Sequence, residues 1–149
     1  MMAPVGDMEG GARSRFQMVI RLQLVRAHVH DCLRRGASWE PRKAEIKEIL
    51  TGIQGVAVAA REAGLSGFTS VCLHVCERIE PFQRTGSMPR ATLGLVAEWA
   101  ANSELYLRRP QYTEFARALV LQLNDSLWGS RLNREEQNSL MRAMLERLS

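Results

Sequence analysis

Cys72, His74 and Cys76 place two thiols and an imidazole close together in the chain, and thiolate with neutral imidazole is a donor set suited to zinc or copper. Helical geometry breaks the set apart. Cys72 and Cys76 are four residues apart and share a face, whereas His74 is two from each and projects from the opposite side, so the three cannot close on one ion. The cysteines then read as buried thiols of a core helix. The other two histidines, His28 and His30, diverge in the same way and have no acidic or nucleophilic partner nearby in sequence. Asp31, Glu135 and Glu136 show no pairing beyond capping and solvation, which leaves no general acid/base dyad. Phosphate loops, nucleophile elbows and zinc-protease helices do not occur. No catalytic set, no metal centre and no cofactor site is expected, and hence no enzymatic activity.

The elements that position these residues read as helices. Residues 1–13, with Pro4, Gly6, Gly10 and Gly11, are expected to form a disordered lead, and residues 14–149 a single helical-bundle domain. Phe16, Val19, Ile20, Leu24, Ala27 and Cys32 follow helical spacing and predict a first helix over about 15–35, with Gly36 at its C-cap. Pro41 is placed in the first turn of a second helix whose inward stripe is Ile46, Ile49, Leu50, Ile53, Ala57, Ala60 and Gly64. Ser66 is expected to cap a third, carrying Phe68, Val71, Cys72, Val75 and Ile79 and stopping at Glu80-Pro81. Leu95, Val96, Trp99 and Tyr106 predict a fourth that ends before Pro110. Tyr112, Phe115, Ala116, Leu119, Val120 and Leu123 predict a fifth, broken by Asn124-Asp125-Ser126 and Gly129. Asn133 and Glu136 have the spacing of a capping box, with Leu132 before them and Leu140, Met141, Met144, Leu145 and Leu148 lining a final helix. Six helices joined by short connections predict an all-α, up-and-down antiparallel helical bundle. Trp39, Trp99 and Trp128 are assigned to packing, since a Trp in a loop between helices usually plugs the end of a bundle.

Composition supports this class. The 149 residues suit one domain, and 46% hydrophobic with 24% charged residues excludes a disordered chain, a collagen-like chain and a disulfide miniprotein. Of 20 basic residues only Lys43 and Lys47 are lysines, and the net charge is +4. The basic residues form no run beyond Arg34-Arg35 and Arg108-Arg109, so nucleic acid is not the expected partner. Three cysteines without an export signal read as reduced thiols and a cytoplasmic setting. Residues 16–25 are interrupted by Gln17, Arg21 and Gln23 and read as neither signal peptide nor membrane span.

The stretch Ala60-Arg61-Glu62-Ala63-Gly64-Leu65-Ser66-Gly67-Phe68-Thr69-Ser70-Val71-Cys72-Leu73, followed by Glu77 and Glu80, resembles the heart of histidine-phosphotransfer (HPt) domains. It looks most like those of CheA- and ChpA-type chemosensory kinases. In that family a helix bearing His-x-x-Lys-Gly is followed by two glycines, seven and ten residues after the histidine, that let the next helix turn back closely. Gly64 and Gly67-Phe68 match the pair. Counting back from either glycine lands on Ala57, with Ala60 and Arg61 at the family's Lys and Gly positions. A shift of one residue puts Val58 at the acceptor position and Arg61 at the basic one. Neither Ala57 nor Val58 can carry phosphate.

The resemblance therefore implies an HPt-like four-helix core with additional helices and a degenerate, phosphorylation-incompetent member, comparable to the pseudo-HPt segments of FimL-like type IV pilus regulators. It implies a protein partner, either a response-regulator receiver domain or a component of a chemosensory or pilus assembly. The expected partner-binding residues are Gln54, Val58, Arg61, Glu62 and Leu65, which lie off the inward stripe. Two alternatives stand beside this: an active phosphotransferase using His74, and a small helical nucleic-acid binder.

Overall fold

The apolar spacing resolves into six α-helices, with no strand among the described residues. The computed structural model describes residues 3–36, 38–129 and 131–146, with side chains from residue 13 onward. The helices are α1 (Ala3–Leu33), α2 (Lys43–Glu62), α3 (Ser66–Thr85), α4 (Arg90–Arg108), α5 (Thr113–Gln122) and α6 (Arg134–Glu146), with a 3₁₀ turn at Ser126–Trp128 before α6. They form an all-α bundle around one continuous apolar cluster that draws on every helix.

The helices are arranged as a ring. α1 packs on α2 and α4, α2 on α3, α3 on α6, α6 on α5, and α5 on α4. α1 and α2 run antiparallel, since His28 meets Glu48 while the bare faces of Gly52 and Gly55 meet Val25 and Arg21. α1 and α4 are antiparallel as well: Arg90 Nη2 donates to the Leu33 carbonyl at 2.5 Å at one end, and Gln23 and Arg26 reach Glu104 further along. α4 thus pairs along its length with α1, touches α3 through the Phe68 and Tyr106 rings at 5.5 Å, and is linked to α3 on its other side by α5 and α6.

Several boundaries differ from the sequence expectation. α1 begins at Ala3, so residues 3–13 of the expected lead belong to the helix. Once the packed part of α1 has formed, each added residue costs little and gains a hydrogen bond, and Pro4 sits in a first turn where no N–H is needed. Met1 and Met2 lie outside the described residues, as do Ala37, Ser130 and residues 147–149, Leu148 among them. Pro41 precedes α2 instead of entering it. The boundary is set by Arg42, whose backbone N–H donates to Glu45 Oε2 at 3.1 Å, one half of a capping box.

α3 does not stop at Pro81 but continues to Thr85. Phe82 extends the apolar row onto the core, and Gly86, at φ 79°, closes the helix with its N–H on the Phe82 carbonyl at 2.9 Å. The missing proline donor removes one bond close to an end that is otherwise well held. At α6 the expected capping box is present: Asn133 N donates to Glu136 Oε1 at 3.0 Å, and Glu136 N to Asn133 Oδ1 at 2.7 Å. Trp128 is buried in a loop with its indole N–H on the Gln122 carbonyl, whereas Trp99 is fully buried in the middle of α4. Trp39 is half-buried under the Arg35 guanidinium, 4.8 Å from its ring centroid.

Two local constraints hold the ring. A Cβ on Gly67 would come within 2.7 Å of the backbone at Ala143 and Met144, so α3 meets α6 backbone to backbone. Between α1 and α4, the Glu104 carboxylate, its side chain 13% exposed, accepts from Gln23 Nε2, Arg26 Nη1 and Arg108 Nε at 3.0–3.1 Å. Burial alone would raise its pKa. Hydrogen bonds from Gln23 and Arg108 and the charges of Arg108 and Arg26 outweigh burial and hold it below the usual carboxylate range.

Gly67→Ala should destabilise the fold by about 1–3 kcal/mol, because backbone atoms must shift to admit the methyl group. Gly55→Ala, whose new Cβ meets only the flexible tip of Arg21 at 3.4 Å, should stabilise by up to ~1 kcal/mol through helix propensity. Urea unfolding of both variants measures the contrast, and equal effects would count against the close α3–α6 approach. Glu104 binds its proton less readily when folded than when unfolded. Its contribution is therefore full above the unfolded pKa and lost as pH falls through the folded value. Glu104→Gln should cost about 1–3 kcal/mol at neutral pH and flatten the acid side of stability against pH.

Candidate functional site

The hairpin formed by α2 and α3 turns at residues 63–65. Gly64 adopts φ 77°, Leu65 N donates to the Ala60 carbonyl and Gly64 N to the Arg61 carbonyl, each at 3.0 Å. This is a Schellman closure, which carries an apolar contact between the residue after the glycine and the last helical turn. Leu65 and Ala60 are both buried. Leu65 is thereby removed from the expected partner-binding face, because the turn that uses Gly64 also drives the next side chain inward. Gly64 itself is exposed and not part of the inward stripe; Val56 joins Ile46, Ile49, Leu50, Ile53, Ala57 and Ala60 there instead. Ser66 opens α3 without capping it: Leu65 occupies the cap position, and no side chain accepts from the first turn.

The remaining predicted residues share the outer side of α2. Gln54, Arg61 and Glu62 are exposed, and Val58 lies among them at 56% exposure. Arg61 also borders a shallow pocket of about 190 Å³ shared with Gly64, Ser66 and Thr69. Ala57 is only 4% exposed and faces the core. A phosphoacceptor must present its side chain to a partner, so the position that meets this geometric requirement is Val58. The two glycines also act on different neighbours: Gly64 makes the turn, while Gly67 admits the backbone of α6 to α3.

The histidines are not brought together. His28 is half-buried on α1 with Nε2 3.3 Å from Glu48 Oε2, and His30 is exposed on the same helix. His74 is half-buried on α3, its Nδ1 3.8 Å from Glu77 Oε2 and 3.5 Å from Arg78 Nη1. Arg78 is buried along α3 and donates to the His74 carbonyl at 3.1 Å. Burial lowers its pKa, and Glu77 and Glu136 oppose the shift. Among the described residues no three His, Cys, Asp or Glu side chains are grouped to hold a metal ion.

Cys32, Cys72 and Cys76 are buried and unpaired, with Cys72 and Cys76 in the core of α3 as the spacing predicts. Burial raises all three thiols, Cys72 well above its ordinary value; Cys76 reaches about 11, with Glu77 adding to the effect.

Sequence reasoning missed a surface on α1. It took Phe16, Val19, Ile20, Leu24, Ala27 and Cys32 as the residues of helical spacing, but the buried row is Met18, Val19, Leu22, Val25, Val29 and Cys32. Phe16, Ile20 and Leu24 are 61%, 42% and 67% exposed. Both rows have helical spacing, so spacing alone could not separate them; the signal that favours the inward row is its length, which spans five positions from Met18 to Cys32 at steps of four and three.

No protein-family model, no curated protein and no solved structure matches the chain. Among the described residues no helix is long and apolar enough to cross a membrane.

The buried thiols should react slowly with a disulfide reagent in the native chain at neutral pH and all at once on unfolding in urea. A thiol that reacts fast before unfolding would contradict the burial of the helix that carries it, α1 for Cys32 and α3 for Cys72 and Cys76.

Proposed function

We propose that the chain is a protein-binding adaptor, built like a histidine-phosphotransfer domain but without phosphotransfer chemistry, that docks a signalling partner through the outer side of α2. The observation that carries the reading is Val58, an exposed apolar side chain one residue from Ala57, the buried position to which the glycine spacing assigns the acceptor. Around it Gln54, Arg61 and Glu62 supply polar and charged groups, which gives the face the mixed character of a docking patch on a rigid helix. The shallow pocket beside Arg61 can take a partner side chain. The resemblance suggests a receiver domain or a component of a chemosensory or type IV pilus assembly as the partner, in the cytoplasm.

Phosphotransfer through His74 is the competing reading. Its imidazole is half-buried between Glu77 and Arg78, a setting that restricts the access an in-line transfer needs. Incubation of the full chain with a phosphorylated receiver or cognate kinase should yield no acid-labile phosphate; label that disappears in His74→Ala would replace the adaptor reading. In partner capture from a chemosensory or pilus system, Val58→Asp with Arg61→Glu should weaken binding at least about tenfold, the loss of a single strong anchor. Unchanged capture by the folded double variant would exclude this side of α2.

A further inference from the structure

α1 offers a second surface, distinct from the Val58 side of α2. Phe16, Ile20 and Leu24 follow one another at four-residue steps and form an exposed apolar ridge, although α1 already buries its other apolar row in the core. Beside Leu24 runs a groove of about 340 Å³ between α1 and α2, lined by Arg21, His28, Glu48, Gly52 and Gly55. The two glycines leave its floor without side chains. A ridge of i±4 residues bordered by a groove is one half of a helix–helix interface, lacking only the helix that would interdigitate with it. Three large apolar side chains in a row exceed the scattered exposure normal for a monomer.

Charge specifies the occupant. From residue 10 to residue 30 the sequence has no carboxylate, while Arg13, Arg15, Arg21 and Arg26 lie within that span. Arg26 is neutralised by Glu104 at 3.0 Å, but no ion pair forms at Arg13, Arg15 or Arg21 among the described residues. The ridge is thus apolar with a basic border. A second copy of the chain would bring the same uncompensated arginines to the same ridge, and like charges across an interface are costly. A lipid surface rewards a broad apolar face, whereas this ridge is one side chain wide with a cleft at its edge.

We propose that the outer face of α1, together with the α1/α2 groove, docks an acidic amphipathic helix of a partner protein. Apolar side chains of that helix at three- and four-residue spacing pack against Phe16, Ile20 and Leu24, one of them enters the groove over Gly52 and Gly55, and its flanking carboxylates meet Arg13, Arg15 and Arg21.

The test uses the full chain and a synthetic helix-forming peptide with leucines at helical spacing flanked by glutamates. A control peptide carries lysines in place of the glutamates, and vesicles of equimolar phosphatidylcholine and phosphatidylglycerol serve as the lipid probe. The acidic peptide should bind, weaken as salt is raised, and shift the amide resonances of Leu24, Gly52 and Gly55. Leu24→Glu should lower its affinity at least about tenfold. Gly55→Leu should do the same by filling the groove, and since the new side chain starts 3.4 Å from the flexible end of Arg21, circular dichroism should report an unchanged fold. Equal affinity for the lysine peptide, absence of shifts on α1 and α2, binding to vesicles without binding to peptide, or a dimer abolished by Leu24→Glu would each overturn the proposal. None of these outcomes depends on Val58 or Arg61, so this surface and the α2 face are judged separately.

Discussion

The bundle depends on one contact without side chains. At Gly67 the first turn of α3 lies against the backbone of α6, close enough that a methyl group has no room. That approach lets the C-terminal helix span the gap between α3 and α5 and close the ring of helices. Were α6 held further out, Phe68, buried one residue along from Gly67, and Met144 would lose part of their cover, and a gap of even half an ångström forfeits much of the dispersion energy of such contacts. The interior is continuous because one residue has no side chain.

The helices themselves were legible in the sequence because each carries an apolar period of helical spacing, although Pro41 and Pro81 do not mark the ends of α2 and α3. Asn133 and Glu136 were readable as a pair since a capping box is purely local. What escaped detection depends on residues distant in sequence. Which apolar row of α1 faces inward is decided by the simultaneous demands of α2 and α4, and the one-dimensional pattern contains two rows of helical spacing. The passage of α3 through Pro81 depends on the packing of Phe82, which outweighs a single missing bond.

The candidate site was legible in part. Gln54, Val58, Arg61 and Glu62 could be placed on the polar side of α2 from periodicity alone. Leu65 could not, because its direction is set by a C-terminal closure outside the helix period. That failure has a local signal all the same: glycine followed at once by leucine at a helix end is the pattern of a Schellman turn with its apolar contact. The glycine pair marked the hairpin correctly, but only three dimensions reveal that its second member serves α6. Both surfaces considered for binding sit on long helices anchored in the core, so neither needs to become ordered when a partner arrives, and little conformational entropy is lost there.

Pro81 also leaves a gap in the hydrogen-bond ladder of α3. With no N–H at residue 81, the carbonyl of Glu77 has no donor one turn later, and the last turn of α3 is tied to the rest by fewer bonds than the turns before it. Residues 82–87 are half-buried or exposed, so their amide hydrogens are expected to exchange through smaller openings than those of the α2/α3 hairpin. The joint between α3 and α4 lies at the end of α3 opposite to the hairpin, so a local opening there leaves the α2 surface around Val58 intact.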